Sequence, residues 1–261
     1  MIGGGQMALA LAEGFTAAGL AAADAITVYD PDETARERLA NRVAGIRFAD
    51  TASQAAATAD LVWLAVKPQQ AAAVGREIAG EMEGRTLVSI AAGLSTAALA
   101  SMAGTSQVIR VMPNTPCLVG RGVSVICRTE AVSAAAMRRV LALLAAVGHV
   151  HEADESLLDA VTGLSGSGPG FLALIVEALA DGGVKAGLPR PLAQSLAVQT
   201  LAGTGLLLER TGDHPAVLKD KVSSPGGTTI AGLGVLEERG VRGALIDAVV
   251  AAATRARELG G

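Results

Sequence analysis

Near the end of the chain, the segment Ser223-Ser224-Pro225-Gly226-Gly227-Thr228-Thr229 combines hydroxyl side chains with bare backbone directly before a predicted helix. Ile230, Leu233 and Leu236 indicate that helix by their spacing, and Gly240 marks its expected end. The first amides of a helix lack partners and carry partial positive charge, and glycines open them to close approach. The segment therefore predicts a site for a carboxylate or phosphate, or else a helix that is simply capped after a Gly-Pro turn.

A second candidate for chemistry lies at the other end, where residues 2–8 fit the pattern G-x-G-x-x-A between a strand and an apolar helix. Such glycines permit a tight turn and bring a pyrophosphate close to the start of the helix. The residues expected to line it are Gly3, Gly5, Gln6, Met7 and Ala8. Met1 stands directly before this fingerprint, so most of a central strand is missing, and we expect a trimmed or misread N-terminus.

Asp30 adds to the cofactor hypothesis because it closes the next predicted strand, 22 residues after Ala8. An acidic side chain at this position can accept hydrogen bonds from an adenosine ribose. Asp30 favours NAD by its charge, whereas Arg36 and Arg38 are near enough to meet the 2′-phosphate of NADP. The sequence predicts a dinucleotide, NADPH or NADH, without choosing between them.

The elements that position these residues follow two patterns. Short β-branched runs alternate with Ala-rich helical stretches, which indicates a mostly parallel sheet covered on both faces. Strands are predicted at Ala25–Asp30, Ile46–Asp50, Leu61–Val66, Thr86–Ala92 and Gln107–Met112. Gly122–Cys127 and His149–Ala153, separated by the helix Ser133–Val147, are candidates for antiparallel additions at an edge. We predict an α/β fold with a Rossmann-type doubly wound domain over residues 1–153.

From residue 154 onward the pattern is helical. Helices are predicted at Asp154–Thr162, Gly170–Ala186, Pro191–Arg210 and Val241–Leu259. Phe171–Leu179 and Leu196–Leu208 are apolar over more than one face, which exceeds what a lone small bundle buries. We therefore predict an all-α domain over residues 154–261 through which the chain forms a homodimer or higher homo-oligomer.

Composition excludes several classes. With 51% apolar residues, 2% aromatic residues, a net charge of −4 and no basic block, the chain suits neither disorder nor nucleic-acid binding. Cys117 and Cys127 occur without a signal peptide and without an uninterrupted apolar run that could span a bilayer. We expect a cytoplasmic protein with buried structural thiols, no membrane contact, no metal, and a small-molecule partner.

Two further turns follow predicted strands at the carboxyl edge of the sheet, where doubly wound folds bind ligands. They are Ala65-Val66-Lys67-Pro68 and Asn114-Thr115-Pro116. The plain alternatives are a solvated cation at Lys67 and an ordinary Asn/Pro turn. The convergence of several strand ends favours a functional interpretation.

Six segments, in order along the whole chain, resemble the pyrroline-5-carboxylate reductase family. They are residues 2–8, Leu64–Gln69, Ser89–Gly93, Arg110–Pro116, Leu164–Pro169 and Val222–Thr229. The resemblance implies NAD(P)H-dependent reduction of 1-pyrroline-5-carboxylate to L-proline, the last step of proline biosynthesis. It also implies a Rossmann domain and a helical domain that interlocks with that of a partner subunit.

The resemblance also implies residue roles. The cofactor would lie against Ala65, Val66, Lys67, Pro68 and Ala92, with Asn114 and Thr115 toward its nicotinamide end. The substrate is a cyclic imine that bears a carboxylate, so the protein has to anchor an anion and position two reactants. Thr229 and Ser224 are the candidates to contact the substrate, and the amides of Gly226, Gly227 and Thr228 would hold its carboxylate.

Two other functions stay open at the level of sequence. A β-hydroxyacid dehydrogenase or a related imine reductase shares this domain order, but Lys185, the only candidate for the dehydrogenase lysine, lacks the accompanying Asn residues. A non-catalytic dimer that senses NAD(P) would bind the cofactor and reduce nothing.

Overall fold

The computed structural model describes residues 1–260. They form two compact units: the first contains residues 1–167 together with the segment from Val250, and the second contains residues 168–249. The functional division at residues 153 and 154 stays a prediction.

Parallel strands form most of the sheet in the first unit. The strands are β1 (Thr27–Val28), β2 (Arg47–Phe48), β3 (Leu61–Leu64), β4 (Thr86–Ser89), β5 (Val108–Met112), β6 (Gly122–Arg128) and β7 (Gly148–Glu152). β3, β4 and β5 are parallel neighbours, β6 runs antiparallel to β5, and β7 pairs in parallel with β6. β6 and β7 thus run against the other strands at one edge, as predicted.

β1 and β2 form a separate parallel pair. Ile2 connects this pair to the larger sheet, because it bridges Tyr29 on one side and Leu64 on the other, both in parallel. Residues 1–3 therefore occupy the position between β1 and β3 that a doubly wound fold gives to its first strand. The α-amino group of Met1 donates to Thr27 O at 2.6 Å, and its burial lowers its pKa to about 5.

Helices cover both faces of the sheet. They are α1 (Gln6–Ala17), α2 (Glu33–Arg42), α3 (Ala52–Ala57), α4 (Pro68–Ile78), α5 (Thr96–Ala103), α6 (Ala134–Ala145) and α7 (Leu158–Val161). Four of them begin at side chains that accept a hydrogen bond from the first turn: Asp32, Thr51, Ser95 and Ser133.

Successive side chains along the strands point to opposite faces of the sheet, so the core consists of two layers. Trp63, Val88 and Ile109 belong to the layer that α1 and α6 cover, where Phe15 and Trp63 have ring centroids 5.4 Å apart. Their neighbours Val62, Leu87 and Val108 point into the second layer, which α3, α4 and α5 cover. Because both faces of the central strands are buried, the sheet is held rigidly and its carboxyl edge is a fixed platform.

The second unit is helical. It is built from α8 (Gly168–Lys185), α9 (Arg190–Thr211), α10 (Pro215–Lys221), α11 (Thr228–Glu238) and the first part of α12 (Val241–Gly260). α8 and α9 pack through Ala180, Ala193 and Ala197. Much of the remaining apolar surface is exposed, including Leu174, Leu179, Leu196, Val235 and Ile246.

Residues 155–185 form one helical stretch that is long and apolar enough, by length and composition alone, to cross a membrane. It is not an uninterrupted apolar run, because Asp159, Glu177 and Asp181 lie within it, so the expectation that the chain has no such run is not contradicted. The separately predicted helices Asp154–Thr162 and Gly170–Ala186 are joined by a π-helical turn at Thr162–Gly166, which makes one longer stretch.

Candidate active site

The fingerprint loop packs against the end of β3. Ile2 N donates to Trp63 O at 2.7 Å, and Ala65 N donates back to Ile2 O at 2.8 Å. Gly3 has a φ of +99°, and a Cβ at this position would lie 2.5 Å from Ala65 O and 3.2 Å from Val66 Cγ1. Glycine is therefore required at position 3, and the fingerprint contacts the predicted turn residues Ala65 and Val66 directly.

The start of α1 is open. Its N-cap is Gly5, and no side chain among the described residues caps the helix. Gly5 and Gln6 are exposed, and a Cβ on Gly5 would meet no heavy atom of the described protein within 4 Å. Unpaired amides beside free space suit a pyrophosphate, so the residues present fit a dinucleotide cofactor.

Asp30 lies against the same loop. Its Oδ2 accepts from Gly4 N at 2.6 Å, and its Oδ1 accepts from Asp32 N at 2.8 Å. Arg36 Nη1 donates to the backbone carbonyl of Asp30 at 2.7 Å. Arg38 Nε is buried and has no hydrogen-bond partner in the described part of the chain. The Asp30 carboxylate is thus held beside the fingerprint by two backbone donors, Gly4 N and Asp32 N.

The other predicted cofactor residues lie at strand ends on the same edge. Lys67 is exposed and is the N-cap residue of α4, whose first residue is Pro68. Ala92 follows β4 and is half-buried, and Thr115 follows β5 and is exposed. β3, β4 and β5 are parallel, so the structure brings these residues to one edge, although the roles assigned to them stay predictions.

In the second unit, Ser223–Thr229 forms the start of α11. Thr228 and Thr229 are the first two residues of the helix, Gly227 is its N-cap with extended backbone, and no side chain of residues 1–260 caps it. Gly227 N donates to Ser224 O at 3.0 Å, so the expectation that this amide is free to hold a carboxylate is wrong. A Cβ on Gly227 would lie 2.3 Å from Ser224 Oγ, so the Ser224 hydroxyl lies directly beside the helix start. Gly226 has a φ of +68°, which favours glycine.

This arrangement combines an open, uncapped helix start with an adjacent hydroxyl group. The Ser223 hydroxyl, by contrast, donates a hydrogen bond to Lys219 O at 2.7 Å, at the C-terminal end of α10. The two neighbouring serines therefore have different roles, and Ser224 is the one available to an anion.

Residues 155–259 match the family described as pyrroline-5-carboxylate reductase dimerisation, and residues 1–93 match NADP oxidoreductase, coenzyme F420-dependent. The pyrroline-5-carboxylate reductase of a Synechocystis species is 45% identical over 100% of this chain and 97% of its own length. That of Arabidopsis thaliana is 44% identical over 99% of this chain and 94% of its own. The chain belongs to the pyrroline-5-carboxylate reductase family.

A solved structure supports this membership. Plasmodium falciparum pyrroline carboxylate reductase with NADP bound matches with a TM-score of 0.91 and 32% identity, covering 100% of this chain and 97% of that one. The family and the fold class predicted from the sequence are confirmed. The dimerisation match covers the exposed apolar helices of the second unit and the whole of the stretch 155–185.

Sequence reasoning missed one contact among the segments that resemble the family. The buried Asn114 accepts from Val123 N through Oδ1 at 2.8 Å and donates from Nδ2 to Ser165 O at 3.1 Å. The side chain predicted to approach nicotinamide is therefore used to join the loop after β5 to the π turn. No signal in the sequence indicated this contact, because the π turn that Asn114 meets is visible only in the structure.

A buried cation near the same segment was also missed. Arg110 on β5 has a side chain that is 6% exposed and pairs with Glu155 at 3.4 Å and with Asp159 at 3.5 Å. Glu155 also accepts from Thr96 N at 2.6 Å and Thr96 Oγ1 at 2.7 Å. Burial raises the pKa of the nearby Cys127 thiol to about 11, with the charge of Glu155 adding to the effect. Cys117 is buried too, so the expectation of buried, free thiols is confirmed.

Proposed function

We propose that this chain reduces 1-pyrroline-5-carboxylate to L-proline with NADH or NADPH. The observation that carries the proposal is the presence, in one member of this family, of two uncapped helix starts with different surroundings. The start of α1 adjoins the fingerprint glycines and suits a pyrophosphate. The start of α11 adjoins the Ser224 hydroxyl and suits a small carboxylate.

The substrate end of the site follows from this geometry. The amides of Thr228 and Thr229 precede the first internal hydrogen bonds of α11, so they can donate to a carboxylate, whereas Gly227 N already donates to Ser224 O. Gly226 and Gly227 carry no side chain that would block its approach. The Ser224 hydroxyl adds a third donor at the same place. We assign carboxylate binding to these groups and contact with the ring nitrogen to the Thr229 hydroxyl.

The chemistry requires little more from the protein. When bound, NAD(P)H supplies the hydride for the imine carbon. A protonated iminium is already electrophilic, so the protein acts mainly by orienting the ring and holding its carboxylate. Hydroxyl and amide donors suffice for that work, which agrees with a proposed site that contains no histidine or carboxylic acid beside the substrate.

We further propose that the functional assembly is a homodimer, or a higher oligomer built from it, formed through residues 154–261. The exposed apolar side chains of α8, α9, α11 and α12 support this proposal, because a soluble monomer rarely exposes so much contiguous apolar surface. We expect the enzyme in the cytoplasm.

One assay tests the reaction. Purified full-length protein is mixed with 1-pyrroline-5-carboxylate and either NADH or NADPH, and the absorbance of the reduced cofactor is followed together with the formation of proline. We expect cofactor oxidation that depends on the imine and matches proline in amount. A folded protein that binds the cofactor but oxidises none above the substrate-free control would instead support the NAD(P)-sensing alternative. Oxidation of β-hydroxyacids with NAD(P)⁺, without imine reduction, would support the dehydrogenase alternative.

A further inference from the structure

Asp30 is the residue of the first unit whose surroundings bear most directly on cofactor choice. Its carboxylate lies beside Gly4, the middle glycine of the fingerprint, and a Cβ on Gly4 would be 3.4 Å from Asp30 Oδ2. Gly4 itself is buried, so its N–H depends on this acceptor. Rotation of the carboxylate away from the loop would leave that donor unpaired, so the negative charge is fixed in place.

The position of this charge matches one part of the cofactor. In a doubly wound domain, the adenosine ribose lies beside the acidic residue that ends the second strand of the fold. Asp30 follows β1 by two residues, next to the fingerprint loop, and is half-buried. A ribose 2′-hydroxyl can donate to the remaining lone pairs of the carboxylate, whereas a 2′-phosphate would bring a second anion against it.

Arg36 is the competing group, because a guanidinium could offset that repulsion. In the structure its Nη1 is directed to the carbonyl oxygen of Asp30 at 2.7 Å. This contact uses one donor to fix the backbone at the end of β1, and it leaves the Asp30 carboxylate with its two backbone donors.

We propose that Asp30 is a specificity-determining residue that makes this chain prefer NADH to NADPH. The expected effect on kcat/KM rests on the proposed function. The expected effect on the dissociation constants of NADH and NADPH requires only that the fingerprint binds a dinucleotide.

The experiment compares full-length wild-type protein with Asp30→Asn and with the matched control Asp32→Asn. The amide introduced by Asp30→Asn keeps an oxygen for Gly4 N and removes the charge. Asp32 is the next acidic residue along the chain, is exposed, and caps α2 through Thr34 N at 3.0 Å, a role that asparagine also performs. Dissociation constants for NADH and NADPH are measured by titration without substrate, and kcat/KM for each cofactor is measured with the imine.

For the wild type we expect both measurements to favour NADH by about tenfold or more. Asp30→Asn should reduce that ratio by about tenfold, mainly through tighter binding of NADPH, whereas Asp32→Asn should leave it within about twofold.

A wild-type protein that binds NADPH as tightly as NADH would overturn the proposal, whatever happens to the variants. A ratio unchanged in a folded Asp30→Asn would overturn it as well. So would Arg36→Gln if it weakened NADPH binding alone, because the guanidinium would then be the phosphate site. If both cofactors bind but neither is oxidised by the imine, the proposed function fails while the two dissociation constants still decide the inference.

Discussion

Gly3 and Gly5, two of the three consecutive glycines in the fingerprint, have different backbone conformations and surroundings. Gly3 has a positive φ and no room for a Cβ, whereas Gly5 has ordinary φ and ψ of −65° and −177° and open space beside it. Sequence alone treats both as fingerprint positions. The structure separates a glycine that the fold needs from a glycine that no contact within the described protein requires.

This difference predicts opposite outcomes for two substitutions. Gly3→Ala should destabilise the fold by about 2 kcal/mol or more, because the methyl group collides with Ala65 O. Gly5→Ala should change the melting temperature little and weaken NADH and NADPH binding by about tenfold or more, because its methyl group would occupy the phosphate approach. Thermal unfolding and cofactor titration measure the two effects. Gly80→Ala, another glycine with open space, is the control, and equal cofactor affinity in Gly5→Ala would contradict the assignment.

The hydroxyls of the α11 segment allow a similarly matched test. Ser224→Ala and Thr229→Val should each lower kcat/KM for the imine by roughly ten- to hundredfold, or about 1.5–3 kcal/mol, with cofactor affinity nearly unchanged. Ser223→Ala should leave kcat/KM within about twofold, because its hydroxyl bonds to Lys219 O. Steady-state kinetics with cofactor binding as a second readout measures these changes. If Ser223→Ala and Ser224→Ala behaved alike, the carboxylate would have to bind elsewhere.

At the scale of elements, the hydrophobic pattern predicted the central strands well because both of their faces are buried. Each predicted strand overlaps an observed one, but the paired part of Leu61–Val66 ends at Leu64 and that of Thr86–Ala92 ends at Ser89. The residues beyond leave the ladder to form the turns of the proposed site, and apolar composition cannot show where pairing stops. α10 was missed because His214-Pro215 resembles a turn, whereas the structure uses Pro215 as the first residue of a short helix.

The candidate site was predicted as separate motifs, and what joins them was not predictable. The contact of Asn114 with Ser165 connects residues 51 positions apart, and the pairing of Arg110 with Glu155 connects residues 45 apart. Such contacts depend on the packed fold and leave no periodic signal in one sequence. The same limit explains why Asp30 was expected to meet only a ribose, although its carboxylate also pairs with Gly4.

The Asn114 contact predicts a structural effect. Asn114→Ala leaves the buried Val123 N–H and Ser165 carbonyl without their partner, so the free energy of unfolding should fall by about 2–4 kcal/mol. Chemical denaturation measures the loss, with Asn41→Ala on the exposed face of α2 as the control that should stay within about 0.5 kcal/mol. A loss no larger than that of the control would mean that Asn114 does not join the two segments.

At the scale of the whole molecule, the two halves of the proposed site belong to different units of the chain, the fingerprint to the first and the α11 segment to the second. The second unit also carries the exposed apolar helices that match the dimerisation family. From these two facts we expect, as a prediction to be tested, that the partner subunit supplies the substrate half of each site. In a symmetric dimer, such an exchange would give two equivalent shared sites.

Mixed dimers test this sharing. One parent carries Gly5→Val, which should prevent cofactor binding, and the other carries Ser224→Ala with Thr229→Val, which should prevent productive substrate binding. If each site takes its cofactor half from one subunit and its α11 segment from the other, a mixed dimer contains one intact site, and random exchange restores about a quarter of wild-type activity. If both halves come from the same chain, every site keeps one defect and activity stays at the level of the parents. Differently tagged parents, purified through both tags, establish that mixed dimers formed, so a lack of recovery in them would place each site within one chain.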